Sequence, residues 1–221
     1  MIKISKYILF CLSALLIVSF TSSDSDSSLM SQASTPNNDS LKNGDLIFQT
    51  SLSSQSLAIQ LATDSKYSHC GIIFEKDHGK KNWLVLEAVQ PVKWTPLQEF
   101  IDRGTDGHCV IKRPTTAVKT NAEILHEMKM YGETHVGKDY DLAFGWSDDK
   151  LYCSELVWKC YSTSVGIELS KLRALGDFDL SHPLVQKELV KRYGDKIPLE
   201  EKMVSPGDIY ESSLLLTVFE N

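Results

Sequence analysis

The sequence has no Arg-rich run and carries fewer basic than acidic residues, 23 Lys and Arg against 29 Asp and Glu, for a formal charge of -6. Without a basic track nothing follows a phosphate backbone, which argues against nucleic acid as a partner. Long hydrophobic runs are missing too. The run from Ile8 to Phe20 is short for a membrane span. With 42% hydrophobic and 24% charged residues, the chain reads as a folded soluble domain, not as a multi-span membrane protein or a disordered one. A length of 221 residues allows one well-buried core and is short for two.

What the chain does have begins with Lys3 and Lys6 ahead of that apolar run, the pattern of a secretory signal over residues 1–21 with cleavage near Thr21 to Ser23. An uncleaved N-terminal anchor is the alternative, because a clean A-x-A pattern is lacking. Lipid attachment at Cys11 is disfavoured by Phe10 before it. Either way the domain is expected outside the cytoplasm: periplasmic, secreted or membrane-anchored. Residues 22–40, rich in Ser, Asp and Asn, read as a disordered linker, and residues 41–221 as the folded domain. Removing residues 1–21 takes away two Lys, so 21 minus 29 leaves -8. The remaining Cys70, Cys109, Cys153 and Cys160 allow up to two disulfides in an oxidising compartment. Cys153 and Cys160 cannot pair if they share a helix, since seven residues rise about 10.5 Å and bridged Cα atoms lie within about 7 Å.

Periodicity places a strand at Gly44 to Gln49, a short helix at Gln55 to Ala62, and strands at Ser68 to Glu75 and Trp83 to Val89 joined by a polar turn. A strand at Cys109 to Lys112 and a helix at Val118 to Met130 follow. Cys153, Leu156, Val157, Cys160 and Ser164 form one helical stripe ending at Gly166. Leu169 to Lys202 is charged and broken, and reads as short helices and loops. Ser205 to Tyr210 and Leu214 to Phe219 read as closing strands.

Centring the hairpin turn at His78 pairs Ile73 with Trp83, Gly71 with Val85 and His69 with Glu87. Opposed side chains on one face lie about 4.5 to 5.5 Å apart, close enough for a carboxylate to accept an imidazole N–H. Cys153 opens its helix, where partial positive charge favours a thiolate. A cysteine, a histidine and an orienting carboxylate are the parts of a thiol hydrolase, so Cys153, His69 and Glu87 are the catalytic candidates. The Cys153 backbone amide is the first oxyanion donor; the second is not legible. A zinc site from His69, Cys70, His108 and Cys109 fails because adjacent strand residues point to opposite faces. Tyr67, Tyr140 and Tyr152, with Trp94 and Trp146, are candidates for a substrate groove.

Four blocks, Gly44-Asp45-Leu46-Ile47-Phe48, Tyr67-Ser68-His69-Cys70-Gly71-Ile72-Ile73, Val85-Leu86-Glu87-Ala88 and Tyr152-Cys153-Ser154-Glu155-Leu156-Val157, resemble in their order the permuted NlpC/P60 cysteine hydrolases of the YiiX/YebB-like branch. The histidine strand precedes the cysteine helix here, as in permuted members. The resemblance spans Leu41 to Leu215 and implies an α+β, papain-like fold, with a small antiparallel sheet or barrel packed on the cysteine helix. It implies Cys153 as nucleophile, His69 as base, Glu87 as the orienting group, and neither cofactor nor metal. Cys70 departs from the aliphatic residue common at that position. The expected activity is cleavage of an amide in a cell-wall peptide such as a murein stem peptide. The alternatives are a lipid acyl amide or ester, by hydrolysis or acyl transfer, and a non-catalytic binding module of the same fold. Oligomeric state is left open.

Overall fold

The computed structural model describes residues 34–221; the expected signal or anchor and most of the expected linker lie outside the described residues. Strand β1 (Asp45–Gln49) is buried along its whole length, charged Asp45 included. Arg113 makes that burial tolerable by donating to both Asp45 carboxylate oxygens, at 2.7 Å each. Helix α1 (Ser56–Thr63) follows, then β2 (His69–Glu75), β3 (Trp83–Glu87) and β4 (Lys93–Pro96), which runs straight into α2 (Leu97–Asp102). Next come β5 (Val110–Pro114), α3 (Ala122–Glu133) and α4 (Cys153–Val165). The chain closes with β6 (Arg173–Ala174), α5 (Pro183–Tyr193), β7 (Lys202–Met203), α6 (Pro206–Tyr210) and β8 (Leu215–Glu220).

Six strands form one antiparallel sheet in the order β4-β3-β2-β1-β5-β8, and β6 pairs with β7 apart from it. Side chains alternate across a strand, so each central strand feeds two cores. Cys70, Ile72 and Phe74 of β2 join Leu156, Val157 and Cys160 of α4 on one face. Ile73 of β2 and Val85 of β3 join Phe100 and Ile101 of α2 on the other. With both faces covered, β2 reads as an almost unbroken buried run and not as an alternating one. Leu156 and Val157 are fully buried, contributing roughly 1.5–3 kcal/mol each.

The hairpin register differs from the sequence expectation. Ile73 faces Val85 and Glu75 faces Trp83, so the ladder is offset by two residues from a turn centred at His78. Lys76 N–H donates to Asn82 O at 2.8 Å and closes the turn there. Because side chains repeat every two residues, the offset leaves each residue on its expected face. Gly71 leaves no room for a side chain between β2 and β3: a Cβ there would meet Val85 Cγ1 at 2.4 Å and the Leu86 carbonyl at 2.8 Å.

Four other expectations change. Ser205 to Tyr210 is mostly helix, not strand: Ser205 Oγ accepts from Asp208 N–H at 3.0 Å, Asp208 Oδ2 accepts from Ser205 N–H at 3.0 Å, and Pro206 occupies the first turn. Helix α3 starts at Ala122 because Asn121 caps it, with Asn121 Oδ1 accepting from Ile124 N–H at 2.8 Å. The four cysteines Cys70, Cys109, Cys153 and Cys160 form no disulfide, and all are buried. The end of the segment expected as linker lies against the domain, where Trp83 Nε1 donates to Asn38 O at 3.2 Å.

Candidate active site

Helix α4 begins at Cys153, with Tyr152 as its extended N-cap residue and Glu155 reaching back to accept from Tyr152 N–H at 3.3 Å. Two further bonds fix this end of the helix. Val204 N–H donates to Tyr152 Oη at 3.2 Å, and Ser154 Oγ donates to Val204 O at 2.8 Å. Gly166, at φ 74°, ends the helix in the left-handed conformation that glycine adopts freely. Cys153 is therefore the first helical residue, where backbone N–H groups lack intrahelical partners and the helix dipole favours an anion.

His69 opens β2 opposite Gln49 of β1. Its Nε2 donates to Glu87 Oε2 at 2.6 Å, and the imidazole ring stacks on Phe100 with centroids 5.3 Å apart. Glu87 ends β3 and is fully buried. Its other oxygen, Oε1, accepts from Thr95 Oγ1 and from the Arg103 guanidinium. Burial alone would push the Glu87 carboxyl up; the His69 and Thr95 hydrogen bonds and the Arg103 charge outweigh it and hold the pKa below the ordinary value.

Cys153 lies near enough to the imidazole for each to shift the other's pKa. Desolvation lowers the His69 pKa, but the bonds to Cys153 and Glu87 prevail and raise it to about 9. Cys153 moves the opposite way. A hydrogen bond from the Cys70 thiol is the largest cause, burial opposes it, and His69 and the Cys70 backbone N–H add to it, so the Cys153 pKa falls well below the ordinary thiol value. Burial and the neighbouring Cys153 hold Cys70 up, as a thiol that donates. Both shifts favour a thiolate beside an imidazolium, the combination that acyl transfer by a thiol needs.

Tyr140 and Tyr152 line an apolar cleft that reaches Cys153. Tyr140 Oη accepts from Gln55 Nε2 at 3.1 Å, and Gln55 Oε1 accepts from Arg192 at 2.9 Å. That chain holds the phenol in place with its own proton free to donate. Burial, and next the Cys153 charge, push the Tyr140 pKa well up, so it remains a donor. Tyr67 does not belong to this site. Its ring is buried against Phe48 and Tyr210, at centroid distances of 6.1 and 4.2 Å, inside the core that covers β1. Trp94 and Trp146 are likewise engaged, against Phe74 and Trp158.

Sequence reasoning missed three contributors. Cys70 lowers the Cys153 pKa, Arg103 neutralises Glu87, and α5 supplies a wall of the cleft. A signal for α5 was present: His182 caps it through Nδ1, which accepts from Leu184 N–H at 3.2 Å, and Pro183 follows at the first helical position.

Residues 40–219 match the family described as permuted papain-like amidase enzymes, YaeF/YiiX, C92 family. The uncharacterized protein YiiX of Escherichia coli strain K12 is 44% identical over 175 residues, covering 79% of this chain and 84% of its own. The crystal structure of the metalloprotein YiiX from Escherichia coli O157:H7 aligns with a TM-score of 0.77 at 44% identity, covering 81% of this chain and 97% of that one. The metal belongs to that protein's description; among the described residues of this chain no three His, Cys, Asp or Glu side chains converge to hold an ion. On the matched span and the α+β architecture together, the chain belongs to the permuted papain-like amidases of the YaeF/YiiX type.

Proposed function

We propose that this amidase works through Cys153, His69 and Glu87, and the observation that carries the reading is the buried 2.6 Å His69–Glu87 hydrogen bond beside Cys153, whose pKa His69 helps to lower, at the start of α4. The Cys153 thiolate attacks the amide carbonyl carbon, and the developing oxyanion is held by the Cys153 backbone N–H and the Tyr140 hydroxyl. As the C–N bond breaks, the His69 imidazolium gives its proton to the departing amine. The thioester then takes a water, whose proton goes back to His69 while the acid leaves and the thiolate returns. Glu87 keeps the ring oriented and stabilises its charged form.

We further propose that the enzyme acts outside the cytoplasm on an amide of the cell envelope. Residues 1–21 support export. Two envelope amides suit the sequence, a murein stem peptide and a lipid acyl amide.

Iodoacetamide labelling followed by intact mass and peptide mapping tests the nucleophile. Cys153 should label below the ordinary thiol pKa, and His69→Ala should slow it. In an assay of amide cleavage, Cys153→Ser and His69→Ala should each lose about 10³-fold or more in kcat/KM. Slow labelling indifferent to His69→Ala, with no amide cleaved, would leave a binding module of the same fold.

A further inference from the structure

We infer that Glu155 and Lys159 are a positioning pair for the amidase reaction: buried side by side on α4, they fix the helix start that carries Cys153 against the loop that runs from Tyr140 to Leu151. The inference rests on Cys153 as nucleophile and on Tyr140 as oxyanion donor.

Glu155 is fully buried. Its Oε2 accepts from Tyr152 N–H at 3.3 Å, which holds the residue just before the nucleophile. Its Oε1 lies 2.9 Å from Lys159 Nζ, one helical turn further along α4. The Lys159 side chain is 11% exposed, and its ammonium donates to Ser147 O and to Asp148 Oδ1, at 2.7 Å each. The same ammonium lies 5.1 Å from the centre of the Trp146 ring. Trp146, Ser147 and Asp148 all belong to the loop, which a bridge between Tyr140 and Leu151 closes at its base. A single ion pair therefore joins the backbone next to the attacking sulfur to the segment that holds the Tyr140 hydroxyl.

Stability is a poor reason for such a pair. Two charges withdrawn from water lose hydration that their attraction does little more than offset, and well-packed apolar side chains would serve a core as well. What the pair adds is direction, because its partners lie on two segments that must meet at fixed spacing around a reacting carbonyl. Other titratable groups face it from each neighbouring segment. Asp141 stands toward Glu155 and Asp148 toward Lys159, both from the loop. Tyr131, His135 and Lys138 approach from α3 and the turn after it, and Lys138 Nζ donates to Asp148 O at 2.6 Å. Burial raises the Glu155 pKa to about 7, against the opposing effects of Lys159 and the Tyr152 N–H, and with a further rise from Asp141. The carboxylate is ionised, and the pair complete, above that pH.

Turnover and labelling together separate placement from nucleophilicity. With p-nitrophenyl acetate as acyl donor, kcat of the native protein should step up by about tenfold through the Glu155 pKa, inside the bell set by Cys153 and His69. Iodoacetamide labelling of Cys153 should not follow that step. Glu155→Gln fills the same space and keeps an acceptor for Tyr152 N–H. It should hold kcat about tenfold low above the step, erase the step, and leave KM and the labelling rate near native. Lys159→Met takes a positive charge from beside the carboxyl, so the step should move to higher pH. A native kcat without the step, which needs no variant to fold, or a Glu155→Gln enzyme with native kcat would overturn the inference. Labelling lost in parallel with turnover in Glu155→Gln would overturn it too, since the pair would then serve the thiolate and not its placement against Tyr140. The nucleophile reading fails separately: undiminished turnover in Cys153→Ser would remove it whatever Glu155→Gln does.

Discussion

Glu87 Oε2 accepts from His69 Nε2 at 2.6 Å although the two residues are not opposite one another in the β2–β3 ladder. They are diagonal neighbours on one face, and a long carboxylate side chain spans that offset. The pairing holds the imidazolium, so its removal should be visible in pH dependence before it is visible in folding.

Activity should follow a bell whose limbs belong to the Cys153–His69 pair. The ascending limb, thiolate formation, lies well below the ordinary thiol pKa, and the descending limb, loss of the imidazolium, lies at about 9. Glu87→Gln removes a cause of the raised His69 pKa, so the descending limb should move down, with roughly a 10²-fold loss in kcat/KM at the optimum. A pH–rate series on both proteins checks it; an unmoved limb would remove Glu87 from the mechanism. The stability consequence has a defined sign. Glu87 has a depressed pKa, so its contribution is present above the ordinary carboxylate pKa and is lost as pH falls through the depressed value.

Tyr140→Phe removes one hydroxyl and leaves the ring that lines the cleft. A lost oxyanion donor should lower kcat by about 10²-fold with KM little changed. The Cys153 labelling rate should stay near that of the native protein, because His69 and Cys70 still hold the thiolate. A change confined to KM would make Tyr140 a wall and nothing more.

Cys70→Ala deletes the group that most lowers the Cys153 pKa, so that pKa should rise and the ascending limb of alkylation should shift to higher pH. Cys70→Ser keeps a donor and should restore part of the shift. Equal profiles for the native protein and Cys70→Ala would show that the contact carries no electrostatic weight.

Gly71→Ala tests the tight packing of β2 against β3. The added methyl meets the Leu86 carbonyl as well as Val85, so backbone must move. The expected destabilisation is about 1–3 kcal/mol, measured by denaturant unfolding with an unchanged m-value. The His69–Glu87 pair lies beside it, so activity should fall more than stability alone explains.

Much of the site was legible because its signals are local. Cys153 at the start of an apolar helical stripe closed by Gly166, and the small Gly71 between His69 and the β3 strand, are read from spacing alone. The exact register was not legible, because the turn between Glu75 and Trp83 is closed by Lys76 and Asn82, and nothing in its composition selects that closure over a neighbouring one. The error left His69 and Glu87 together because it was an even number of residues. Cys70 was placed correctly on the face opposite His69, yet its contact with Cys153 depends on how α4 crosses β2, a long-range fact. The cleft wall from α5 was hidden by the charges and glycines around it, although Val185 and Leu189 stand four residues apart on one helical face.

Arg103 gives the site an overall balance that its catalytic parts alone would lack. With Cys153 and Glu87 ionised as anions, and His69 and Arg103 as cations, the four charges sum to zero in the resting state. An uncharged amide approaching such a centre experiences little long-range pull or push, and encounter should respond weakly to ionic strength. Selection among amides then rests on fit and on water released from greasy walls.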